Sequence, residues 1–199
     1  LARELELERQ KEIEMTFGLE LLLAAGLKFG CIVVLAYFFG IFRETMVLVL
    51  TAGIFRVVSG GEHCQAFYRC LIGGTVVFLL LGYLAKVLMS VTRYEGTTFL
   101  IVLVSFMLVT AIISKYAPGD TEDKPITEEF EIIRFKRLSL LVAVGFFIMV
   151  VLFLIFEVYT ELILPVIMGL LWQVFTITPL GYRFIRGIDS VLRFSKLWW

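Results

Sequence analysis

"LSLLVAVGFFIMVVLFLIF", residues 138–156, is nineteen residues without a charged side chain. A helix needs about 20 such residues to cross the hydrocarbon core of a bilayer. Working outward, five more apolar segments appear: Leu19–Phe42, Thr45–Val58, Leu71–Met89, Thr97–Ile113 and Leu162–Ile177. The first, third and fourth of these are also long enough to span. Leu162–Ile177 is short and carries Pro165. Thr45–Val58 is interrupted by Arg56, so it spans only if it extends into the following Ser-Gly-Gly; otherwise it is partly inserted or re-entrant. The whole chain agrees with a membrane reading: its 199 residues are 60% hydrophobic and 18% charged, with a mean hydropathy of +0.95. A soluble domain is more polar. The expected fold class is all-α, a polytopic membrane helix bundle of about six transmembrane segments with amphipathic terminal helices.

Charge placement orients this bundle. With the N-terminus in the cytoplasm, fourteen Lys and Arg residues fall on cytoplasmic pieces, whereas Arg43 and Arg93 alone fall on outer loops; Lys28 and Lys86 lie inside apolar segments. That asymmetry is the positive-inside pattern and favours an even number of spans. The formal net charge is zero, so nothing draws the chain electrostatically to nucleic acid. The opening "LARELELERQKEIEM" is charged rather than apolar, unlike a cleavable signal. The expected organisation is a cytoplasmic helix over 1–17, a membrane-embedded region over 18–181 and an interfacial tail over 182–199. In the tail Phe184, Ile185, Ile188, Val191 and Leu192 follow helical spacing opposite Arg183, Arg186, Asp189 and Arg193, with Trp198 and Trp199 as interface anchors.

Chemistry concentrates in "SGGEHCQAFYRC", residues 59–70, which the orientation puts at the cytoplasmic face. It holds the single histidine, His63, and two of the three cysteines, Cys64 and Cys70. An odd cysteine count argues for free thiols rather than a disulfide framework. On one straight helix, residues 63 and 70 share a face but lie about 10 Å apart along the axis. A base and its nucleophile work at about 3 Å, so a functional pair needs a backbone break within Cys64–Arg69. Gly60 and Gly61 loosen the approach to this stretch. Cys70 is expected in the first turns of the third helix, where the dipole and a nearby imidazolium favour thiolate. The plain alternative is that Cys70 is a small buried hydrophobe and His63 an interface histidine. Zinc on Glu62, His63, Cys64 and Cys70 is a further alternative, with poor ligand spacing. Cys64 is a rival nucleophile, although its side chain diverges from that of its neighbour His63. Cys31 follows a Gly26–Gly30 small-residue pair that suggests helix packing.

Arg, a glycine-containing bend, His, and Cys seven residues on, here "RVVSGGEHCQAFYRC", resembles the accessory gene regulator B (AgrB) family. A second matching stretch is "KYAPGDTEDKPI", residues 115–126, after the fourth apolar segment. Arg56 and Gly61 align with family motif positions. The resemblance implies a multi-pass cysteine endopeptidase of the bacterial cell membrane, with its active site at the cytoplasmic face. It implies cleavage of the C-terminal tail of a small AgrD-like precursor peptide, helping to form a cyclic thiolactone autoinducing peptide for quorum sensing. It also implies His63 as general base and Cys70 as nucleophile. No cofactor or metal is expected. The expected partners are the AgrD-like peptide and the lipid bilayer, not nucleic acid, with a homodimer left open.

An oxyanion stabiliser is required for such chemistry. Backbone N–H groups near Cys70, Gln65 and Arg56 are candidates. Lys115 and Lys124, with Arg134, Lys136 and Arg137, are candidates to hold an acidic peptide tail in a loop shaped by Pro118 and Pro125; an ordinary cytoplasmic loop explains the same charges. A peptide exporter or scaffold that binds without cutting is the competing class, for which the intramembrane Glu20, Lys28 and Lys86 are the relevant residues.

Overall fold

The structure, a computed structural model, describes residues 2–62, 66–89, 95–119 and 128–193. Seven helices run in order: α1 (Ala2–Phe38), α2 (Phe42–Ser59), α3 (Phe67–Leu88), α4 (Glu95–Tyr116), α5 (Glu129–Ile155), α6 (Thr160–Thr176) and α7 (Pro179–Val191). Among the described residues there is no sheet, only an isolated bridge between Gly60 and Gly119. The all-α expectation holds, and each of the six apolar segments becomes one helix. The charged start and the first apolar segment are one continuous helix of 37 residues. That is about 55 Å of helix against a hydrocarbon core of about 30 Å.

Large apolar side chains cover the outside of the bundle. Leu80, Leu100, Leu141 and Ile148 are all more than half exposed. Such an exterior suits hydrocarbon and not water. By length and composition α3, α4 and α5 can each cross a membrane alone, and α6 with α7 forms a fourth, bent candidate. α2 is not among these candidates, since its 18 residues include Arg43, Glu44 and Arg56. α2 and α6 form the most extensive helix pair of the structure. Val166, Ile167, Leu170 and Val174 of α6 are buried around Phe55 of α2 and Val109 and Ile113 of α4. Gly169 permits this closeness, since a Cβ there would lie 2.7 Å from the Leu48 carbonyl oxygen and 2.9 Å from Thr51 Cβ. A helix surrounded by protein need not be apolar on every face.

Helix ends gather at two poles. At one, Lys86 Nζ donates to the Gly40 carbonyl at 2.7 Å and Arg43 pairs with Glu161 at 3.3 Å. At the other, the chain around residues 59–62 meets Gly119 and the end of α6. α2 therefore runs from one pole to the other in 18 residues, about 27 Å. Lys86, read from sequence as intramembrane, closes the α1–α2 turn.

Two local expectations are corrected. A Cβ on Gly26 or Gly30 would meet no atom within 4 Å, so the small-residue pair makes no helix contact among the described residues. Asp189, assigned from periodicity to the polar face of the tail, is turned inward and buried. α7 leaves α6 at 86°. Thr178 caps it, accepting from the Gly181 N–H at 3.1 Å, and Pro179 opens the first turn.

Candidate functional site

The end of α2 is buried, so its carbonyl groups need donors. Five consecutive residues find them. Ser139 Oγ donates to Val58 O at 3.0 Å. The Gly119 N–H donates to Ser59 O at 2.7 Å. Gln173 Nε2 donates to Gly60 O at 2.7 Å and to Ser59 Oγ at 3.0 Å. Arg56 Nη2 reaches forward from the last turn of α2 and donates to both Gly61 O and Glu62 O at 2.9 Å. Arg56, which interrupts the apolar pattern, thus clasps the turn that ends the helix. Glu62 in turn accepts from Arg186 Nε of α7 at 3.2 Å.

Glycine is required where this turn meets its neighbours. Gly60 has φ +67° and Gly61 φ +126°, both in the region that L side chains avoid. A Cβ on Gly60 would strike the Gly119 carbonyl, and one on Gly61 would lie 2.7 Å from Thr176 Oγ1. The "SGGEHC" and "YAPG" stretches, nearly sixty residues apart, therefore touch backbone to backbone. Pro118 is half-buried beside this contact.

α3 begins at Phe67, and its N-cap Ala66 is extended, with φ −114° and ψ 138°. The break expected within Cys64–Arg69 is thus present, and no single helix joins residues 60 and 89. Cys70 lies in the first turn, its N–H donating to Ala66 O at 3.1 Å. Its thiol forms no disulfide among the described residues and is half-buried, as is that of Cys31. The neighbouring Arg69 is tied to Asp189 of α7 at 2.7 Å, and Gly73 lets α7 approach, a Cβ there lying 2.6 Å from Ile188 Cγ2. α7 thereby closes one side of the region around Cys70.

Lys28 is the group that periodicity did not assign. From α1 its Nζ lies 3.6 Å from Cys70 Sγ and 5.7 Å from the centre of the Phe78 ring. The available signal was a lysine inside an apolar span, which ordinarily has a partner and a task. Lys115 is exposed at the same pole, its ammonium 5.2 Å from the Tyr116 ring centre. His63, Cys64, Gln65, Lys124 and Pro125 lie outside the described residues. Among the described residues no three His, Cys, Asp or Glu side chains assemble as a metal site.

The geometry defines a membrane helix bundle with a hydrogen-bonded double-glycine turn at the end of α2 and a cysteine in the first turn of α3. A model of the accessory gene regulator B family, AgrB, matches residues 1–177. The chain belongs to that family. It is similar to an AgrB-like protein of Clostridium perfringens (strain SM101 / Type A), with 26% identity over 197 residues, covering 96% of this chain and 92% of the relative. An AgrB-like protein of Clostridium acetobutylicum is 29% identical over 126 residues, covering 63% and 57%. One from Listeria innocua is 25% identical over 174 residues, covering 87% and 80%. No solved structure matches the chain. Family membership supports a part in the peptide processing of agr quorum sensing, carried out by a membrane protein.

Proposed function

We propose that this protein is a cysteine endopeptidase that removes the C-terminal tail of an AgrD-like precursor peptide at the cytoplasmic face of the cell membrane. The observation that carries the reading is the position of Cys70 in the first turn of α3, eight residues after Glu62, which ends a run of five satisfied carbonyls. Early helical positions favour an anionic sulfur. His63, seven residues earlier and across the extended Ala66, is the assigned base.

The reaction follows from those roles. His63 takes the thiol proton, and the Cys70 sulfur attacks the scissile carbonyl carbon. The C–N bond breaks as His63 returns the proton to the leaving amine. The precursor's N-terminal part is left as a thioester on Cys70. Attack by a cysteine of the peptide on that carbonyl exchanges one thioester for another, closing a thiolactone and freeing the Cys70 thiolate. Amide to thioester is uphill, so removal of the tail must draw the sequence forward. Water must also be kept from the thioester. α7, tied down by Arg69–Asp189 and Arg186–Glu62, supports such exclusion. Arg56 and Gln65 remain candidate oxyanion donors, and Lys115 and Lys124 candidates to hold an acidic tail.

Purified enzyme incubated with precursor peptide, acid-quenched and digested, is expected to carry the peptide's mass on the Cys70 fragment. An adduct on Cys64, or none while cleavage proceeds, overturns the assignment. A binding-only exporter or scaffold forms no adduct.

The orientation has its own test. In a background lacking native cysteines, Leu5→Cys, Asp120→Cys and Ser190→Cys are expected to resist a membrane-impermeant maleimide in intact cells and to react after lysis. Labelling of any one from outside reverses the cytoplasmic assignment of that segment.

A further inference from the structure

An ammonium group on an apolar span must find an anion, an acceptor or water. Four other cations near the two poles have partners of those kinds: Arg43 with Glu161, Arg69 with Asp189, Arg186 with Glu62, and Lys86 with the Gly40 carbonyl. Lys28 has no carboxylate partner among the described residues. Its polar contact is the Cys70 sulfur at 3.6 Å, with the Phe78 ring face as a second, weaker attraction.

The approach is built in. The side chain of Lys28 lies along α3 over Gly74, where a Cβ would fall on its Cε and Nζ. One turn further toward the pole stands Cys70. A larger residue at position 74 would exclude the ammonium from the sulfur. The contact therefore uses three positions on two helices, and not a chance meeting of two flexible groups.

We propose that Lys28 is the electrostatic partner of Cys70, its ammonium lying over Gly74 to hold the sulfur as thiolate at the membrane face. Lys28 makes or breaks no bond; the thiol proton leaves to His63. Opposite charge within a few ångströms lowers a thiol's pKa, and more so where water is scarce. Among the described residues, Arg56 of α2 interacts electrostatically with Cys70 and also with Glu62 in the turn and Tyr182 of α7, while Arg69, next to Cys70 on α3, pairs with Asp189 of α7. Glu62, Arg69 and Asp189 are mutually or externally neutralised by ion pairs, and Arg56 is engaged by two carbonyls. Lys28 reaches the sulfur directly, its Nζ 3.6 Å from Sγ. The use of this thiolate in cleavage rests on the proposed peptidase reading; the Lys28–Cys70 pairing does not.

The test reads the thiol directly. Full-length protein in detergent micelles is alkylated with iodoacetamide across a pH range bracketing a free thiol's pKa of about 8.5, and the Cys70 peptide is quantified by mass spectrometry. Lys28→Met, which keeps the stem and removes the charge, is expected to raise the midpoint of the Cys70 profile by about 1–3 units. Lys28→Arg is expected to stay near the wild type. Gly74→Ala is expected to shift in the same direction as Lys28→Met, by displacing the ammonium. Alkylation of Cys31, on α1 itself, reports in the same sample whether each variant is folded. An unchanged Cys70 midpoint in Lys28→Met, with Cys31 reacting as in wild type, overturns the proposal. A shifted midpoint in a protein whose Cys70→Ala variant still cleaves precursor sustains the pairing and removes the peptidase reading.

Discussion

Cys70→Ala is expected to lower precursor cleavage by about 10⁴-fold or more, because loss of a covalent nucleophile removes the reaction path and not merely a contact. The protein should stay folded, since Cys70 is half-buried at a helix start and its removal opens little space. Cys70→Ser should fail almost as completely, because a hydroxyl is far harder to ionise than a thiol. His63→Ala should lower turnover by about 10²–10⁴-fold, the usual contribution of a positioned acid–base group. Cys64→Ala should keep most activity. Cleavage of an AgrD-like peptide by membranes carrying each variant at matched expression gives the comparison. Full cleavage by Cys70→Ala returns Cys70 to the role of small buried hydrophobe.

Gly119→Val should disable the proposed cleavage although residue 119 has no reactive group. A Cβ there would lie 2.6 Å from Ile177 Cγ2, 2.9 Å from Gly61 N and 3.0 Å from Gly61 Cα. Two of those atoms are backbone of the double-glycine turn, so the obstruction is relieved only by moving the turn. That movement also breaks the Gly119 N–H to Ser59 O bond of 2.7 Å. A shift of about 1 Å in a catalytic group can cost about 10²-fold, so at least that loss of cleavage is expected. Gly53→Ala on α2 is the control, because its Cβ meets open space. Near wild-type cleavage by Gly119→Val would mean that the contact between the two stretches does not hold the site together.

The six helices and the start of α3 near Cys70 were legible in the amino-acid order for one physical reason. In hydrocarbon every backbone N–H and C=O must be satisfied within the segment, so a long apolar run is a helix before any neighbour is considered. The break between His63 and Cys70 was legible from reach alone, because a straight helix holds them too far apart for a shared reaction. Lipid and protein core are both apolar, however, and the pattern does not distinguish the face of a helix that meets one from the face that meets the other. The central place of α2 and α6, the open surroundings of Gly26 and Gly30, and the inward turn of Asp189 were therefore decided only by packing. So was the purpose of Arg56, whose acceptors exist only once α2 stops. Contacts far apart in sequence follow the same logic. Gly60 meets Gly119, and Lys28 meets Cys70 across 42 residues, because helices return side by side. Local sequence determined which segments are helices and which residues are reactive; tertiary structure decided which charge stands beside which sulfur.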